Sequence, residues 1–148
     1  MEMFTNTHER FVIRESEPER MILEVGLTRH GANEIGDVEQ IEFTTGDFKS
    51  ADVLCTLDWT GFKITEADEL YHTIWENAEG KREISLPLDG RILEVNTDVV
   101  SDPEKASEED WLFRVIVDSA DFRRLPANFL VNRTAYDAQH DGLMHYAN

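Results

Sequence analysis

A single cysteine, Cys55, is all the thiol chemistry that this chain of 148 residues carries. One thiol cannot close an internal disulfide, and without Cys/His spacing it frames no structural zinc site. Long apolar runs are missing too: no stretch of about 18 uncharged apolar residues occurs, and no basic segment with an apolar run opens the chain. Neither a membrane span nor a signal peptide is therefore expected, and the chain reads as soluble and cytoplasmic. Positive charge is scarce, with 14 Lys and Arg against 31 Asp and Glu and a formal net charge of -17. Such a surface repels phosphate backbones and anionic lipid, which excludes nucleic acid and membrane as natural partners. Glycine-rich phosphate loops are absent. The five histidines, His8, His30, His72, His140 and His145, have no H-x-H or H-x-x-x-H spacing, so no metal site is expected.

What remains is a chain that is 41% hydrophobic, enough for one buried core in one domain over residues 1–148. Its apolar residues come in short runs with β character: 10–15, 20–27, 38–43, 53–57, 69–75, 82–88, 91–96 and 111–117. Several alternate. Ile84, Leu86 and Leu88 share one face of an extended chain, as do Trp111, Phe113, Val115 and Val117. Many short strands predict a sandwich or a barrel. Helical signals are local: Thr28 as the N-cap of a short helix ending at Gly36, Asp102-Pro103-Glu104 opening a turn or two, and a helical pattern after Ser119 interrupted by Pro126. Residues 138–148 read as a loose tail.

The stretch Glu76-Asn77-Ala78-Glu79-Gly80 lies between two β-like runs and carries the residues of a tight turn. It predicts a hairpin tip, with Lys81 beside it either as a chemical handle or as a solvated lysine balancing Glu79 and Glu83. Elsewhere, Cys55 sits in an apolar alternation and reads as a buried, inert thiol. Glu108-Glu109-Asp110 reads as a solvated acid cluster rather than a cation site, and Trp75 as a residue able to line a contact surface near the tip.

Several separated stretches, in order, resemble the glycine cleavage system H protein family. Phe4-Thr5 with His8-Glu9, then Leu23-Glu24-Val25-Gly26-Leu27-Thr28 and Ile35-Gly36-Asp37-Val38, resemble that family's opening. Gly61 to Asp68 is similar to its Gly-x-x-Val-x-x-Gly-Asp turn. Leu86-Pro87-Leu88-Asp89-Gly90 with Ile92 to Asn96 resembles its Ser-Pro-Val-Ser-Gly segment, and Asp102-Pro103-Glu104 with Trp111-Leu112 resembles its Asp-Pro-Glu and Trp-Leu pair. The resemblance implies a mainly β, lipoyl-domain-like fold: a flattened barrel, or barrel-sandwich hybrid, of two antiparallel sheets with short helices after the second strand and at the C-terminus. It also implies a carrier rather than an enzyme, in which a hairpin-tip lysine bears lipoate and shuttles an aminomethyl group between partner enzymes at high effective concentration.

The chain departs from that pattern where the arm belongs. Counting back from Pro87 places the family's lysine on Glu79, and counting forward from Asp68 places it on Asn77. The expected tip is thus Asn77, Ala78, Glu79 and Gly80, with no cofactor attached. Residues 39–52 are a further departure and read as an insertion. The resulting expectation is a non-catalytic module without a lipoylation site that docks to protein partners, such as glycine decarboxylase, aminomethyltransferase or lipoate-handling enzymes. One alternative is a working carrier lipoylated on Lys81. The other is a binding domain that reuses the barrel with no link to lipoate, its cleft near residues 39–52.

Overall fold

Period-two alternation decides the architecture. In the computed structural model, which describes residues 2–33, 35–67, 73–107 and 110–146, the alternating runs form nine strands among the described residues: β1 Glu2–Phe4, β2 Glu9–Ser16, β3 Arg20–Leu27, β4 Asp37–Phe43, β5 Asp47–Phe48, β6 Val53–Ala67, β7 Thr73–Ser85, β8 Gly90–Val95 and β9 Trp111–Asp118. All pairings are antiparallel. One six-stranded sheet runs β1-β2-β3-β9-β8-β5, and a three-stranded sheet runs β4-β6-β7. The ladders do not close into a ring: each sheet keeps two edges, so the arrangement is a pair of facing sheets rather than a closed barrel.

The core lies between the two sheets. Met21, Leu23, Val25 and Leu27 of β3 and Phe113, Val115 and Val117 of β9 meet Leu54, Cys55, Leu57 and Ile84 of the smaller sheet. Each such side chain contributes about 1.5–3 kcal/mol of burial. Ile84, Leu86 and Leu88 do share the buried face, although the strand ends at Ser85. The expected β9 stripe is offset at one end. A bulge between Val25↔Phe113 and Gly26↔Trp111 makes Leu112 the extra residue, so Leu112 is fully buried and Trp111 only half so. Trp111 instead carries the Arg114 guanidinium 4.0 Å above its ring. On the outer face Arg114 also bridges Glu24 of β3 at 3.0 Å and Glu94 of β8 at 2.7 Å.

The helices follow their caps. Thr28 Oγ1 accepts from the Gly31 amide at 3.0 Å and starts α1, Arg29–Asn33. Asn96 caps α2, Thr97–Ser101, which leads into a 3-10 turn over Pro103–Ser107. Asp118 caps α3, Ser119–Arg123, with two amides on its side chain. Up to Tyr146, the last described residue, the stretch expected to be loose is helical: α4 runs Arg133–Tyr146, with Asn132 Oδ1 accepting from the Ala135 amide at 2.8 Å and no proline following to stop the helix. Tyr136 anchors it. Its ring stacks on Phe4 at 5.0 Å, and its hydroxyl lies 2.6 Å from His8 Nδ1 and 2.7 Å from Thr28 Oγ1.

The stretch 39–52 is structured. It completes β4, turns at Gly46 in the left-handed region (φ 81°), and sends Phe48 of β5 into the core opposite Gly90. A Cβ at Gly90 would lie 2.8 Å from the Phe48 ring, so the glycine leaves room for the aromatic. Among the described residues, no helix is long and apolar enough to cross a membrane.

Candidate functional site

The stretch expected to present the turn is strand. Asn77 to Gly80 is not a tip. These four residues lie inside β7, where Phe62 pairs with Asn77, Gly61 with Ala78, Thr60 with Glu79 and Trp59 with Gly80. The ladder runs on to Ala67↔Thr73, so the connection between β6 and β7 falls at 68–72, outside the described residues. The expected strand at 69–75 and His72 fall wholly or partly there too, as do Glu108 and Glu109 further on.

The reason for the displaced turn is a non-local partner. Gly80 does not take the left-handed conformation that a primed hairpin turn requires. Its lack of a side chain serves another purpose: a Cβ there would stand 2.7 Å from Trp59 Cζ2 and 2.9 Å from Cε2. The indole of β6 lies across the glycine of β7, an aromatic covering a cross-strand glycine that holds the ladder together where a turn was expected. Phe48 over Gly90 repeats the device in the other sheet.

Strand alternation then separates the neighbours. Glu79, Lys81 and Glu83 point outward, while Gly80, Arg82 and Ile84 face inward. Lys81 is opposite Asp58, with its Nζ 3.2 Å from Asp58 Oδ1 and its side chain 67% exposed. Around this pair opens a cleft of ≈ 440 Å³ lined by Glu39, Asp58, Trp59, Thr60, Glu79 and Lys81. Thr60 Oγ1 donates to Glu39 Oε1 at 2.8 Å along one wall. Glu39 belongs to the 39–52 stretch, so that stretch does reach the cleft.

Arg82 makes the contact that sequence reasoning missed. Its Nη2 donates to the Thr7 carbonyl and lies 3.2 Å from Glu9 Oε2. Glu9, buried at the start of β2, also accepts from Thr5 Oγ1 at 3.0 Å and Thr7 Oγ1 at 2.9 Å. This network fastens the smaller sheet to the N-terminal hairpin. Its members are 73 positions apart, and no local pattern announces them.

The remaining candidates are quiet. Cys55 is buried in the core, and burial pushes its thiol up to about 12, so it is neutral and shielded at physiological pH. Among the described residues no three His, Cys, Asp or Glu side chains are placed to hold a metal ion. The region offers an outward amine paired to a carboxylate in mid-strand, beside an acidic cleft with an aromatic wall.

No family model matches the chain. A glycine cleavage system H protein of Rubrobacter xylanophilus is 32% identical over 117 residues, covering 76% of this chain and 76% of the relative. That of Bartonella quintana is 25% identical over 118 residues, covering 77% and 80%. That of Streptomyces coelicolor is 33% identical over 96 residues, of which it contributes 63% of its own length. A crystal structure of a glycine cleavage system H protein from Mycobacterium marinum superposes with a TM-score of 0.59 at 18% identity, covering 95% of this chain and 96% of that one, and so shares the lipoyl-domain-like fold. With the motif order, the paired sheets and these likenesses in agreement, the chain belongs to the glycine cleavage system H protein family.

Proposed function

We propose that this protein is an H-protein-like docking module that bears no lipoyl arm and works by engaging protein partners of glycine cleavage or of a related lipoate-dependent pathway. The family is one of carriers rather than enzymes. The observation that carries the proposal is the mid-strand position of Glu79 and Lys81. A lipoyl arm needs its amine lifted clear of the sheet so that a ligase and several active sites can reach it. Here Glu79 occupies the position of the family's lysine by one count and Asn77 by the other, and Lys81 is held against Asp58. The other lysines, Lys49, Lys63 and Lys105, lie in none of the segments that resemble the arm hairpin.

A second reading keeps the carrier role with lipoate on Lys81, and the exposure of that side chain is what favours it. Intact mass of the protein purified from a lipoate-competent host separates the two. The docking module stays unmodified, whereas a lipoyl adduct mapped to Lys81 establishes the carrier. Partner identity is read in the same preparation, by co-purification with a glycine decarboxylase or aminomethyltransferase. Failure to retain either while a different protein binds through the cleft would favour a barrel reused for unrelated binding.

A further inference from the structure

The edges of the two sheets are not equally protected. β1 is bridged to Val131, and β5 is two residues long. β4 carries a bulge between Val38 and Gln40. These are ordinary ways of blunting an edge. β7 uses none of these three; what guards it is charge, with Glu79, Lys81 and Glu83 outward and Arg82 inward. It extends for 13 residues, and the two bulges in its ladder, between Val53/Cys55 and Ile64/Glu66, insert their extra residues into β6. The outer strand is therefore regular, and among the described residues none of its backbone groups bonds to backbone outside the β6 ladder.

We propose that β7 is a self-association edge, at which a second copy of this chain adds its own β7 antiparallel across a two-fold axis to give a continuous six-stranded sheet. Keeping both cores on the same side of that sheet restricts the register to partners of equal parity, since opposed residues share a face. Centring the axis on Gly80 places Glu79 of each copy opposite Lys81 of the other, and Ala78 opposite Arg82. The neighbouring allowed registers are opposed by charge. A shift one way sets Glu79 against Glu79, and a shift the other way sets Lys81 against Lys81 and Glu79 against Glu83. Gly80 at the axis brings no side chain, and the indole that covers it comes from the strand behind. The net charge of -17 opposes association, but at physiological ionic strength repulsion beyond about 8 Å is largely screened, which leaves the adjacent pairs to decide the register. This inference does not depend on whether Lys81 is lipoylated in other settings, because the test uses the unmodified chain.

Sedimentation of the full chain over a range of concentrations at physiological salt tests it. The unsubstituted protein dimerises reversibly. Lys81→Glu and Glu79→Lys each raise the dimer dissociation constant by about tenfold or more, because symmetry counts each opposed pair twice. The double variant Glu79→Lys/Lys81→Glu restores the opposite-charge pairs and with them the dimer. Both residues concerned point outward, so melting temperatures stay close to that of the unsubstituted protein. A chain that remains monomeric throughout overturns the proposal, as does a dimer indifferent to these charges, which must use another surface.

Discussion

β3 with β9 and β6 with β7 are both long antiparallel pairs, yet they are held by different means. The first is the centre of the larger sheet, with Leu23, Val25, Phe113 and Val115 buried on one face and the Glu24–Arg114–Glu94 charges laced across the other. Beyond the bulge at Leu112, Phe113, Val115 and Val117 alternate strictly, and a slip of one residue would turn that whole set to solvent. Among the described side chains, the second pair buries Leu54, Cys55, Leu57 and Ile84 at its base. Further along, its hold passes to one indole over a glycine, one inward arginine and one outward ion pair. Where apolar burial fixes the register, sequence reasoning is safe. Where single polar and aromatic contacts do so, it is not.

The largest test of that contrast is Phe113→Ala. Removing a fully buried ring from the central pair costs about 3–5 kcal/mol, transfer and cavity combined. Urea unfolding should show the midpoint falling sharply with little change in slope. A loss near 1 kcal/mol would mean that the larger sheet is not the stabilising centre.

Arg82→Ala comes next, at about 2–3 kcal/mol, because it leaves the Glu9 carboxylate buried with two hydroxyl donors and no cation. The effect should be recoverable in part by adding Glu9→Gln, which removes the stranded charge. A double variant no better than Arg82→Ala alone would show that the arginine acts through packing of its stem rather than through the network.

The same contrast explains what could be read from the chain. The strands at 10–15, 20–27, 38–43, 91–96 and 111–117, the Thr28 cap and the buried Cys55 rest on local periodicity or on one residue's neighbours, and the structure has them within a residue or two of where the pattern puts them. The family, too, follows from motif order. The turn at 76–80 was misplaced because Asn and Gly are local turn signals, whereas what overrides them is Trp59, some twenty positions earlier and aligned only once β6 and β7 are paired. The helix that runs through Tyr146 is capped by the side chain of Asn132, which lies upstream of the tail and outside its local pattern.

Gly80→Val and Gly80→Asn together decide between the two accounts of this residue. In mid-strand, any Cβ at position 80 meets the Trp59 ring at 2.7 Å, so both variants displace the indole and cost about 1–3 kcal/mol. Valine, despite its strand propensity, gains nothing from it. At a hairpin tip the outcome would split: asparagine tolerates the left-handed turn conformation and would be nearly neutral, while a β-branched valine would be strained. Emission in a Trp75→Phe/Trp111→Phe background, where Trp59 is the one indole left of the chain's three, supplies the independent readout, since an indole pushed off Gly80 enters solvent and shifts to the red. Equal destabilisation with a red shift in both variants places Gly80 under the indole, and a tolerated asparagine with unmoved fluorescence would return the turn to residues 77–80 and reopen the route by which Lys81 could be raised as a handle.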